Sequence, residues 1–175
     1  MTKKSPKKRT KSRYLFKLTV VGPDDSLLEK VLSAFDEPVV KVDGIRIGSA
    51  DIDTDDSKVK AVFMSPRHAA LDILLSLTFK GASGAIIVLR EPDPELETVY
   101  RNEVRENLGA RVPTRVITCG TSLDEYKRNE IRHIFDDVVE EILAIRTKEQ
   151  KVKEKKTKEK KKSDASKKSF KKKKK

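Results

Sequence analysis

The chain has 175 residues, one cysteine, two histidines and a formal net charge of +12; this allows one domain of ordinary size with tails, excludes a disulfide framework and argues against a structural zinc site. The charge is uneven: residues 1–13 contribute +7 and residues 151–175 contribute +12, so residues 14–150 carry −7, and the high pI does not describe a basic folded surface. No apolar run is long enough to span a bilayer, and the first residues lack the apolar core of a signal peptide.

The lysine-rich ends bury too little apolar surface to offset their ordering entropy. We therefore expect a disordered basic tail over 1–13, a folded domain over 14–147 and a second disordered tail over 148–175. Within the domain, Tyr14-Leu-Phe-Lys-Leu-Thr-Val-Val21 is apolar and β-rich, stops at Gly22-Pro23 and predicts a buried strand. Asp24, Asp25 and Ser26 are candidate caps for a following helix that buries Leu27, Leu28, Val31, Leu32 and Phe35. Val39 to Val42 reads as a short strand ended by the turn Asp43-Gly44. Ile45 to Ile52 is extended, Asp53 to Ser57 is a polar hairpin turn, and Val59 to Met64 is the returning strand.

Arg67 to Lys80 has helical periodicity. Gly84 to Leu89 is a continuous apolar run, as in the middle of a parallel sheet. A helix is predicted over Pro92 to Leu108, a strand over Val112 to Thr118, and a long helix over Glu130 to Ile145 with one apolar stripe. Strands alternating with helices imply an α/β fold, with a mostly parallel sheet covered on both faces and a single antiparallel hairpin.

Two doubly wound plans fit, the receiver domain and the small GTPase. The hairpin favours the second, and local sequence agrees. Lys17-Leu-Thr-Val-Val-Gly22 resembles the first strand and opening glycine of a Ras-like phosphate loop. Phe63-Met-Ser-Pro-Arg-His68 resembles the metal and γ-phosphate segment, in the proline-containing form of the MglA-like GTPases of bacteria and archaea. Lys80 to Val88 resembles the fourth strand, and Val112 to Cys119 the strand that delivers the guanine-reading loop. The resemblance covers roughly residues 14–147 and implies a three-layer P-loop fold of the small-GTPase superfamily. About ten residues separate Cys119 from the last helix, where the family has another helix and strand, so the sheet is expected to be shorter by one strand.

The residues that carry GTPase chemistry are replaced. In the phosphate loop the second glycine, the lysine and the hydroxyl residue fall on Leu27, Leu28 and Glu29. Asp24 and Asp25 set carboxylates where phosphate would sit, and close like charges cost about 1 kcal/mol per pair even in a water-like dielectric. Met64 stands at the position of the magnesium-linked aspartate and Arg67 at that of the γ-phosphate glycine. His68 takes the place of the water-orienting glutamine, as either a surrogate base or a plain surface residue. Cys119 and Ser122 replace the asparagine and aspartate that read guanine. Cys119 could be a nucleophile, but no histidine is placed in sequence to form a dyad, and a lone buried cysteine is commonly inert. The receiver plan lacks its phospho-accepting aspartate, since its strand ends are Met64-Ser65 and Thr118-Cys119.

The expectation is a pseudo-GTPase without GTP, magnesium or other cofactor, acting as a cytoplasmic interaction module. The resemblance places a protein-partner face at Ile45, Ile47, Arg67, His68 and Leu71, with ordinary hairpin packing the competing role for the two isoleucines. The partner could be another GTPase-like subunit. Lys160, Lys161, Lys162, Lys171, Lys172, Lys173, Lys174 and Lys175 form a polyanion-binding cloud for RNA, DNA or an anionic membrane surface. Two alternatives remain open: a divergent GTPase with an unusual site, and a nucleic-acid-binding protein acting through its tails.

Overall fold

The computed structural model describes residues 11–54, 56–67 and 76–172, with side chains through residue 152. His68 and Leu71 lie outside the described residues, as do residues 1–10 of the basic N-terminal segment and Lys173, Lys174 and Lys175. Contacts divide the chain into two units, Met1–Val139 and Glu140–Lys175.

The first unit is an α/β sheet structure. Its strands are β1 (Ser12–Val21), β2 (Val40–Val42), β3 (Ile45–Asp53), β4 (Ser57–Pro66), β5 (Gly84–Leu89) and β6 (Thr114–Thr118), in the order β2-β3-β4-β1-β5-β6. β1 pairs in parallel with β4 and β5, and β5 with β6. β3 is antiparallel to both β2 and β4, so one strand runs against the rest and the sheet is mostly parallel. The Asp43-Gly44 turn between β2 and β3 has φ of 47° and 82°. Two consecutive left-handed residues are what a tight hairpin turn demands, and Asp-Gly is the cheapest dipeptide to supply them.

Helices α1 (Asp25–Leu32), α2 (Pro94–Leu108) and the first part of α3 (Glu125–Lys172) cover the sheet, and residues 76–79 are also helical. On one side Phe35, Phe63 and Phe135 meet with ring centroids 4.7–4.9 Å apart. These come from the end of the α1 segment, from β4 and from α3. On the other side Val21, Phe79, Ala85, Ile87, Leu89, Tyr100 and Val104 form a second cluster between the sheet and α2.

Several boundaries differ from the sequence reading: β1 begins at Ser12, inside the segment 1–13 expected to be disordered, because its first residues pair with the start of β4, and three further differences concern the helices. α1 ends at Leu32 with Ser33 as its C-cap, whose hydroxyl donates to the Glu29 carbonyl at 2.8 Å, so Phe35 reaches the core from a loop. α3 begins at Glu125 rather than Glu130, because Asp124 accepts from the Lys127 amide at 2.8 Å and caps the first turn. Its backbone is helical through Lys172, across the segment where composition led us to expect disorder. Lysine and glutamate are good helix formers, and extending a helix costs far less than nucleating one. No strand lies between Cys119 and α3, which leaves β6 as a sheet edge.

Candidate functional site

The site begins where β1 delivers the chain to α1. Only Gly22, Pro23 and Asp24 separate the two elements. A Cβ on Gly22 would stand 2.3 Å from the Val88 carbonyl oxygen, so this residue is glycine because the chain passes directly over the β5 backbone. Asp24 caps α1 by accepting from the Leu27 amide at 3.0 Å and pairs with Arg90. The Arg90 hydrogen bond, together with the Leu27 amide, holds the Asp24 carboxyl below the ordinary carboxylate range. Leu27 and Leu28 are 4% and 1% exposed and fill the space under the first turn. Glu29 points outward and pairs with Lys41 at 2.7 Å; that contact lowers its pKa. The first turn of α1 is thus occupied by a cap, an ion pair and two leucines.

Asp25 turns to the hairpin instead. Its Oδ1 accepts from Arg46 Nη2 at 2.5 Å, and the Arg46 side chain is 5% exposed. Arg46 also faces the Pro66 carbonyl at 3.4 Å. Burying an arginine needs a partner of this kind, since a lone buried guanidinium is strongly unfavourable. Met64 is half-buried in β4 opposite Ile47. Ser65 is fully buried, is the cross-strand partner of Arg46 and has no hydrogen-bond partner for its hydroxyl. Arg67 is exposed, and its amide donates to the Gly44 carbonyl at 2.9 Å.

Around this junction is a cavity of about 690 Å³, bounded by Lys30, Arg46, Arg67 and Arg128 together with the acids Asp25 and Glu29. Arg46 and Arg128 were not singled out from sequence. Arg46 carries only a misleading signal: between two isoleucines in a strand it alternates onto the opposite face, where a charged side chain reads as solvent-facing. Arg128 carries no signal, because only the fold brings the start of α3 next to α1.

The remaining positions are more dispersed. Ile45 is buried, paired with Val42 and Pro66, and Ile47 is half-buried against Val40. Val40 and Val42 are 53% and 48% exposed. Cys119 closes β6, is 4% exposed, and its thiol is pushed up to about 11 by burial. Its amide donates to the Leu89 carbonyl at 3.0 Å, which makes it a strand-end packing residue. Gly120 turns the chain with φ of 69°, and Ser122 sits exposed in the loop beyond. Among the described residues, no group of His, Cys, Asp or Glu is arranged to hold a metal ion. No described helix is long and apolar enough to cross a membrane. Lys160, Lys161, Lys162, Lys171 and Lys172 lie on the helical backbone of α3, beyond the described side chains. No protein-family model matches the chain, and no curated protein matches it.

Proposed function

We propose that this chain is a non-catalytic, small-GTPase-like interaction module whose polybasic segments bring it near an anionic partner. The observation that carries the proposal is the closed first turn of α1. A phosphate-binding loop needs free backbone amides and a cation at the helix N-terminus. Here Asp24 accepts from one such amide, Leu27 and Leu28 are buried beneath the turn, and the side chain in the place of the hydroxyl is Glu29. The single reversed strand β3 and the lack of a strand after Cys119 support a GTPase-like plan shortened by one strand. The raised thiol pKa of Cys119 speaks against its use as a nucleophile.

Calorimetry of the full chain with GTP, GDP and ATP in magnesium tests the reading. The expected result is no saturable heat at millimolar nucleotide. Micromolar binding of any of the three would overturn it in favour of a divergent nucleotide-binding protein.

A further inference from the structure

We propose that the arginine-lined cavity beside α1 receives the carboxylates of an acidic segment of a protein partner. This rests on the interaction-module reading and supplies the chemistry of the partner.

Four cations from four elements meet there: Lys30 of α1, Arg46 of β3, Arg67 at the end of β4 and Arg128 of α3. The two acids in the wall are already engaged, Asp25 with Arg46 at 2.5 Å and Glu29 with Lys41 at 2.7 Å. Among the described residues, Lys30, Arg67 and Arg128 form no ion pair, and all three are exposed. At the base of the hairpin, the buried Ser65 hydroxyl next to Arg46 is also unpaired. The polar chemistry at this end of the molecule is therefore not closed internally.

The sign and strength of the field choose the ligand. Four cations against two acids leave a modest positive excess, which suits one or two single negative charges. A triphosphate would also face Asp25 and Glu29 at short range. Arginine forks match carboxylates in paired hydrogen bonds and are enriched at the energetic centres of protein interfaces. At about 690 Å³ the cavity exceeds what one small ion fills and accommodates side chains from several residues. The chain's own Lys-rich ends have the same sign and are repelled, so the occupant comes from elsewhere.

The test uses the full chain carrying ¹⁵N-labelled arginine and follows the side-chain Nε–H resonances. The probe is a blocked hexapeptide of alternating Asp and Glu. Inorganic phosphate and the matching Asn/Gln peptide are run beside it. The acidic peptide is expected to shift Arg67 and Arg128 saturably. The double variant R67Q/R128Q should weaken the response of Arg46 at least ten-fold while leaving the thermal melt unchanged, since both positions are exposed. Replacing Lys171–Lys175 with Gln should leave the midpoint at the arginines where it was. Silent arginines, a midpoint that follows the tail lysines, or an equal response to phosphate would each overturn the proposal. Arginine shifts that appear on raising protein concentration without peptide would overturn it in favour of a second copy of this chain. Nucleotide calorimetry keeps the two readings separate: silent arginines without nucleotide binding refute this inference alone.

Discussion

Gly22 shows how the fold can require a glycine for a reason that the sequence does not suggest. The resemblance gives it the role of a phosphate-loop glycine. In the structure its Cβ would strike a backbone carbonyl, Val88, at 2.3 Å, and backbone in a central strand cannot move aside. Gly22→Ala should cost about 1–3 kcal/mol, as overpacking does, seen as a lower urea midpoint. Gly48→Ala is the control, because its Cβ would meet the Phe63 side chain at an ordinary 3.5 Å; its midpoint should move much less. Equal effects would show that the clash is relieved by a shift of β1. Cys119 gives a second test at this scale. Its pKa is raised from 9.0 to about 11 by burial. The unfolded chain releases the proton first, so the contribution to stability is full below pH 9 and is lost as pH rises through 11. By linkage the loss is about 2–3 kcal/mol. Tyr100, raised to about 12, adds to the alkaline decline from pH 10 upward. Cys119→Ala should flatten the pH 9–11 part of the stability curve; an unchanged slope there refutes the assignment. Native Cys119 should also resist alkylation at pH 8 at the rate set by global unfolding.

At the level of elements, the hairpin was the most legible part, because Asp43-Gly44 and the polar run after Ile52 each carry turn chemistry that leaves little choice. The end of α1 was less legible. Phe35 continues the helical spacing of Val31, but it is half-buried by contact with Phe63 and Phe135, so tertiary packing imitated a helical stripe beyond Ser33. The start of α3 was legible in principle, since Asp124 is a good cap, though the apolar stripe begins only at Ile131. The Arg46–Asp25 pair and the cavity it borders were not legible as a set, since they join β3, β4, α1 and α3 across long sequence separations. The cap of α1 yields a prediction that involves both helix and charge. Asp24→Asn keeps a capping oxygen but loses the charged contact to Arg90, whereas Asp24→Ala loses both. Alanine should cost about 1 kcal/mol, the usual value of an N-cap, and asparagine less. Because the folded pKa of Asp24 is lowered, its charge stabilises above the ordinary carboxylate value of 3.8 and that benefit disappears as pH falls through the lowered pKa. The stability difference between the natural chain and Asp24→Asn should therefore shrink on acidification below pH 4. A difference that stays constant down to pH 2 would show that Arg90 contributes nothing through charge.

At the scale of the whole molecule, charge is segregated along the chain. Residues 14–150 carry −7, while residues 1–13 carry +7 and residues 151–175 carry +12, so a polyanion is attracted to the two ends and repelled by the average field of the middle. Deleting 151–175 brings the formal net charge to zero. The deletion starts beyond the first unit, which ends at Val139, so the thermal melt of the sheet should be preserved. Binding of each phosphate by a lysine releases condensed counterions, and the logarithm of the affinity falls with the logarithm of salt at about 0.7–0.9 per contact. The full chain should therefore bind single-stranded RNA and anionic vesicles tightly at low salt. About six engaged lysines would weaken binding to single-stranded RNA by roughly three-hundred-fold between 50 and 200 mM salt. The deletion should abolish retention on both at 150 mM. Scrambling the order of residues 151–175 should preserve it, because a counterion mechanism depends on charge density and not on side-chain order. Retention by the deleted chain would mean that residues 1–150 supply an anion-binding surface of their own, and a further deletion of the basic residues 1–13 would then separate that segment from the arginine cavity. Loss in the scrambled chain would mean that the helical register of α3 beyond Lys148 presents its lysines in a specific pattern.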